Sequence, residues 1–323
     1  MASRIENPSA NATADKLNGF DLYTPDANGT ISFDTGSRTF SIAVKAGESS
    51  FSFWSSGVKY TKTSTQTTTI ANTSGTYYIY FDASGDLQNI AYDSENLDLF
   101  YVEALVGLVY WNATTSNGIV GDERHGYRMS GSTHYAMHTT HGALYASGFD
   151  VTGLANGSET YTQVAAGVFF DEDIQHSLLV QSTHRFLYRL GATGEWTYTD
   201  VSNQLGYKEG GDSYYSWNEY TGGAWQLSEG GVATDYFMTF FMATPNTGDN
   251  TVFKVVGQNA YSSKNNARDA IRSEIRNLTT AGLPGPEFIF LFAVIVKRNG
   301  ELQVLDDGRL YIDFRPVKGY STS

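Results

Sequence analysis

Apolar and polar residues alternate along this chain in short bursts separated by turn residues. Thr30–Asp34 and Arg38–Lys45 carry an apolar side chain at every second position, the period of a half-buried strand. Ser50-Phe-Ser-Phe-Trp54 followed by Gly57-Val-Lys-Tyr60 predicts a hairpin. Thr76-Tyr-Tyr-Ile-Tyr-Phe81, turning over 82–86 into Leu87–Ile90, predicts another. Leu99–Trp111 reads as a last strand pair or one long bent strand, ending in a polar linker over 112–118. After a histidine-rich stretch, strands are expected to resume at Thr160–Val164 and Gly167–Phe170. Phe288–Val296 is uninterrupted apolar sequence, the length of a strand buried on both faces. A Gly-acidic-apolar turn recurs at Gly85-Asp86-Leu87, Gly194-Glu195-Trp196 and Gly300-Glu301-Leu302; its irregular spacing is hairpin chemistry and sets up no repeat fold.

Helical period is clear in one place, about 263–278. Ser262 or Ser263 can cap it, and Ala267, Ile271, Ile275 and Leu278 form an apolar stripe. Arg268, Arg272 and Arg276 line another face, and Gly282 and Pro284 stop it. The expected fold is therefore all-β, with hairpin-rich sandwich or jelly-roll-like domains and one amphipathic helix near the C-terminus. The expected organisation is a flexible arm (1–18), an N-terminal β domain (19–112) and a C-terminal β-rich domain (113–323).

Composition narrows the function. The chain has 323 residues, enough for one large or two modest hydrophobic cores. It contains no cysteine, which excludes disulfides and thiolate metal sites and suits a reducing cytoplasm. The net charge of −13 argues against nucleic-acid partners, whose phosphates are met by Lys and Arg. No apolar run reaches the ~18–20 residues of a membrane span, and no signal peptide is expected.

Candidate chemistry concentrates between Gly121 and Phe149, which hold His125, His134, His138 and His141. Were the middle of that stretch helical, His134, His138 and His141 would share one face at i, i+4 and i+7, a three-ligand metal arrangement. Against it, small polar residues surround the histidines and no His-x-x-Glu or cysteine pair completes a set, so a turn-rich connector is the simpler reading. No metal ligand and no cofactor are assigned. Carboxylates cluster at Asp122-Glu123, Asp171-Glu172-Asp173 and Asp306-Asp307, without the spacing of a Ca²⁺ loop, and no nucleophile elbow frames a serine. No catalytic residue is assigned either. The enzyme alternative is a metal- or carboxylate-dependent polysaccharide-active protein centred on His134 and His138. The segment 210–225 sets Tyr214, Tyr215, Trp217 and Tyr220 among glycines and small polar residues, the composition of a glycan- or subunit-contacting surface; the alternative is core packing, since strand alternation puts about half of these rings inside.

A run of motifs resembles a family of tailed-phage virion proteins of the tail-fibre or structural-protein type. They are Gly121-Asp-Glu-Arg-His-Gly126, Thr133–Ala143, Phe170-Asp-Glu-Asp-Ile174, Leu187–Ala192, Gly223–Leu227, Val256–Tyr261, Leu278–Pro284, Pro286-Glu-Phe288, Ala293-Val-Ile295 and Tyr311–Arg315. Arg38–Ile42, Gly57–Lys62 and Tyr78–Asp82 extend the similarity into the N-terminal third. Where the family often has Arg before Gly-Ala, this chain has His141. The resemblance implies a non-enzymatic virion component, a tail fibre or baseplate-associated part for assembly and host attachment. It implies a homo-oligomer, a trimer by family habit, contacting other virion proteins and a host surface glycan. A head-decoration or head-fibre protein is the alternative within the same class.

Overall fold

The computed structural model describes residues 16–22, 29–92, 98–231, 235–247, 251–278, 283 and 287–316. Antiparallel sheets dominate, so the fold is all-β as expected. In the N-terminal half a four-stranded sheet runs in the order Asn117–Asp122, Ala104–Asn112, Gly75–Phe81, Leu87–Ala91. Two three-stranded sheets complete that half. One contains Gly19–Phe20, Phe51–Ser55 and Val58–Lys62; the other contains Thr30–Asp34, Thr39–Ala43 and Gln66–Thr69. The alternating Phe residues meet between them: Phe53 and Phe81 stack with centroids 3.8 Å apart, and Phe40, Phe51 and Trp111 join the same cluster. Truncating one of these rings costs roughly 3–5 kcal/mol.

The C-terminal half is built on a six-stranded sheet, ordered Glu195–Tyr198, Arg185–Leu190, Val252–Val256, Tyr236–Ala243, Ile289–Lys297, Ile312–Asp313. Only Arg185–Leu190 and Val252–Val256 pair in parallel. Both faces are covered. Met238, Phe240 and Met242 face one side, with Ala267, Ile271 and Leu278; Phe237 and Phe241 face the other, with Phe149 and Phe169. Double coverage explains the uninterrupted apolar sequence of Ile289–Lys297, which lies between two neighbours.

Among the described residues three helices interrupt the strands: α1 (Asp98–Tyr101), α2 (Gly131–Thr140) and α3 (Lys264–Asn277). Helix α3 falls where the apolar stripe puts it, and Ser263 caps it by accepting from the backbone N–H of Asn266 at 3.1 Å. Arg268 reaches Asp306 and Asp269, while Gly282 and Pro284 lie outside the described residues, as do positions 1–15 of the expected arm. Among the described residues no helix is long and apolar enough to cross a membrane.

Three expectations are corrected. Leu99–Trp111 is not all strand: α1 takes its start, and Ala104–Asn112 is a single, fully buried strand. Thr160–Val164 shrinks to Gln163–Val164, because Tyr161 turns inward and Thr160 bridges to Gln204. The supposed linker over 112–118 is the turn of a hairpin that pairs Asn112 with Asn117, so the boundary at 113 cuts through a sheet. The halves interlock there. Tyr110 donates its hydroxyl to the Trp196 carbonyl at 3.1 Å and accepts from the Trp196 N–H at 2.7 Å, and Asn112 donates to the same carbonyl at 2.8 Å.

Candidate metal centre

Four chain segments converge at one buried point. The first is the continuation of Asn117–Asp122. Asp122 and Arg124 pair with each other at 2.5 Å, and the alternating positions, Glu123 and His125, turn into the interior. The second is α2, whose cap Ser130 accepts from the Thr133 N–H at 3.2 Å; His134 and His138, one turn apart, share its inner face. Gly, Ser, Thr and His are weak helix formers, so α2 depends on packing against α1. Gly131 permits that approach, since a Cβ there would lie 2.7 Å from the Phe100 carbonyl.

The third segment is the tight turn joining Gly167–Asp171 to Ile174–Leu178. Glu172 sits in it at φ +51°, a left-handed conformation costing a glutamate about 1–2 kcal/mol. The strained backbone sends its carboxylate inward, fully shielded from solvent. Its neighbour Asp173 accepts from His125 Nδ1 at 2.9 Å and from the Gly126 N–H at 3.0 Å. A Cβ on Gly126 would lie 2.7 Å from that carboxylate, which explains a glycine after His125. The fourth segment brings Glu287, buried completely, just ahead of strand Ile289–Lys297.

The inward atoms crowd together. Glu172 Oε2 lies 3.4 Å from His134 Nε2 and 3.7 Å from His125 Nδ1, while Glu172 Oε1 lies 3.5 Å from His138 Nδ1. His138 Nδ1 is 2.6 Å from Glu287 Oε1 without the alignment of a hydrogen bond, and His125 Nε2 is 3.4 Å from Glu123 Oε2. Both oxygens of Glu123, Asp171, Glu172 and Glu287, together with His125 Nε2, His134 Nε2 and His138 Nδ1, make no hydrogen bond among the described residues. A buried polar atom left so costs about 1–3 kcal/mol, and a buried unpaired charge several. The surroundings give no relief. Phe100 presses on His134 and His138 with centroids 5.1 and 4.9 Å away, backed by Tyr78, Leu99 and Leu105.

Electrostatics register the same crowding. Burial, then the charge of Glu287, pushes the Glu123 carboxyl up to about 8, and the same causes hold Asp171 well above the carboxylate range. Burial, then His125 and His138, drives His134 well below the usual imidazole value. Burial would also depress His138, but Glu172 and Glu287 hold it up at about 11; at His125 burial is again the largest single cause, and Asp173, Glu123, Asp171 and Glu172 together outweigh it and raise the imidazole well above its usual value.

These side chains have the chemistry and the spacing that could hold a metal ion. His125, His134 and Glu172 place their donor atoms within 4.8 Å of one another; so do Glu123, His138 and Glu287, and so do Glu123, His125 and Asp171. Imidazole and carboxylate without sulfur suit Zn²⁺, Mn²⁺ or Fe²⁺, and three histidines disfavour Ca²⁺ and Mg²⁺. Asp173 holds His125 Nδ1 and aims Nε2 at the site, the carboxylate–histidine pairing that orients metal ligands. A cavity of about 10 Å³ touches Glu123, His125 and His134. That is about one water-sized sphere and admits no organic substrate.

The sequence-based candidates divide. His134 and His138 enter the centre. His141 does not: α2 ends at Thr140, and His141, its exposed C-cap, meets the Thr140 hydroxyl through Nδ1 at 2.8 Å. The i+7 partner is replaced by His125 from outside the helix. Glu123, Asp171, Glu172 and Glu287 carry no sequence spacing that marks them; the available signal was the alternation in Glu123-Arg-His125 that sets two donors on one side. Asp306 and Asp307 lie at the surface, paired with Lys264, Arg268 and Arg309.

The four aromatics do not form one surface. Tyr215 is 5% exposed and donates its hydroxyl to Glu159 at 3.1 Å, so it is a core residue. Trp217 stacks on Phe237 with centroids 5.4 Å apart. Tyr214 is half-buried, with the Arg298 guanidinium 3.9 Å from its ring centre. Tyr220, 58% exposed beside Trp225, is the one fully presented ring of the four. Compared with protein-family models, curated proteins and solved structures, the chain matches none.

Proposed function

We propose that this protein is a non-enzymatic structural scaffold whose β-sheet halves are pinned together by a buried divalent transition metal. One observation carries the reading: eight carboxylate oxygens and three imidazole nitrogens, donated by four separate segments, converge in the buried interior without hydrogen-bond partners among the described residues. A bound cation gives all of them a partner at once. The smallness of the adjoining cavity supports a structural rather than catalytic ion, since a catalytic site keeps a position open to substrate. The ordered motif blocks resembling tailed-phage virion proteins support placing the scaffold in a virion, as a homo-oligomeric tail-fibre or baseplate-associated component. Density on the capsid lattice in particle images would instead favour head decoration.

The metal reading is tested by chelation. An ion held at a thousand times its Kd stabilises the fold by about 4 kcal/mol. In a domain of this size each kcal/mol moves Tm by roughly 2–4 °C, so exhaustive EDTA treatment lowers Tm by about 10 °C. Adding Zn²⁺, Mn²⁺ or Fe²⁺ restores it. An unchanged Tm refutes the scaffold-by-metal reading.

A further inference from the structure

Resting on that reading, we infer that the centre takes two divalent ions side by side rather than one. Two of the three donor groups have no residue in common. His125, His134 and Glu172 form one; Glu123, His138 and Glu287 form the other. Each set alone is a three-residue ligand group of imidazole and carboxylate.

Two carboxylates lie across the gap between the sets. Glu172 turns Oε2 to His134 of the first set, at 3.4 Å, and Oε1 to His138 of the second, at 3.5 Å. Metal–nitrogen and metal–oxygen bonds of about 2.1 Å put neighbouring donors roughly 3.0–3.4 Å apart, so both contacts are close to coordination-shell edges. Asp171 groups with Glu123 of the second set and His125 of the first. Glu172, with one oxygen toward each of the two sets, has the arrangement that bridges ions about 3.5–4 Å apart.

Number and charge agree. Eleven donor atoms without hydrogen bonds exceed what a single four- to six-coordinate ion can engage, and one ion would leave part of the set stranded in an apolar shell. Four carboxylates carry four negative charges when ionised, and three neutral imidazoles add none. Two divalent cations cancel that charge; one leaves two negative charges buried beside Phe100 and Leu105.

The test is metal stoichiometry on the full chain, loaded with Mn²⁺, desalted and measured by plasma mass spectrometry, with electron paramagnetic resonance on the same sample. Two equivalents and the multiline spectrum of an exchange-coupled pair are expected. Glu287→Gln, which keeps side-chain size, and His134→Ala, on the other set, each lower the content to one equivalent and leave an isolated-ion spectrum. One equivalent in the unaltered protein, or two uncoupled ions, overturns the pair while leaving the metal scaffold standing. No retained metal overturns both.

Discussion

Two groups of buried ionisable side chains in this molecule are accommodated in opposite ways. Around Lys254, which is fully buried, the ammonium donates to the carbonyls of Ser202 at 2.9 Å and Gln204 at 2.7 Å and to the Ser202 hydroxyl at 3.3 Å. Phe186 offers its ring face at 3.8 Å, and Tyr161 shares a hydrogen bond with His184 Nδ1. Burial drives the lysine well below its usual value, easing the cost of its charge. At the carboxylate–histidine centre, by contrast, burial is as deep and the inward atoms are left over. A buried polar group with partners explains itself as structure. A converging set without them points to something from outside the chain.

Charge-removing substitutions turn this contrast into a measurement. In the metal-loaded protein, Glu287→Gln costs about 3–5 kcal/mol, because it strips a ligand from a buried cation. In the chelated protein the same change costs much less, because the loss of a partner for His138 is offset by removal of a like charge beside Glu123 and Asp171. Lys254→Met has no such difference: its cost, under about 2 kcal/mol for two carbonyls losing a donor, is equal with and without metal. Denaturant unfolding of both variants in both states checks this, and an identical Glu287→Gln cost in the two states breaks the contrast.

Glu274 sharpens it from the satisfied side. Its Oε1 accepts from the Gln258 N–H at 2.7 Å and its Oε2 from the Tyr261 hydroxyl at 2.6 Å, yet burial raises its carboxyl from 4.5 to about 7. Since the folded value lies above the unfolded one, the protonated form favours folding. That contribution is whole below pH 4.5 and is lost as pH rises through 7. The loss amounts to roughly 3 kcal/mol. Glu274→Gln should therefore be increasingly advantageous relative to the unaltered protein from pH 5 to pH 8, with or without chelator. A flat difference across that range contradicts the assignment.

The fold was legible wherever local chemistry and tertiary context agree. Alternation named the hairpins at 51–62 and 75–91; Gly85 occupies the turn of the second at φ +76°, and Gly194 and Gly300 occupy the turns of the other two Gly-acidic-apolar motifs at φ +66° and +84°. Ser263 and the Ala267–Ile271 stripe named α3. Helix α2 was harder to read, since it has no apolar stripe and is held by its neighbour α1. The centre was legible only in part: His134 and His138 share a helix, while Glu172 arrives by a strained turn and Glu287 from a distant strand entry. Long-range convergence leaves no period in a sequence. The aromatic segment divides as strand alternation implies, with Tyr215 in the core and Tyr220 at the surface.

The most direct test is anomalous diffraction from crystals of protein purified without chelator, collected on both sides of the absorption edge of the metal found. The account predicts anomalous density enclosed by His125, His134, His138, Glu172 and Glu287, resolving into two peaks. Ordered water alone among those side chains, with protons shared between the carboxylates, would contradict it.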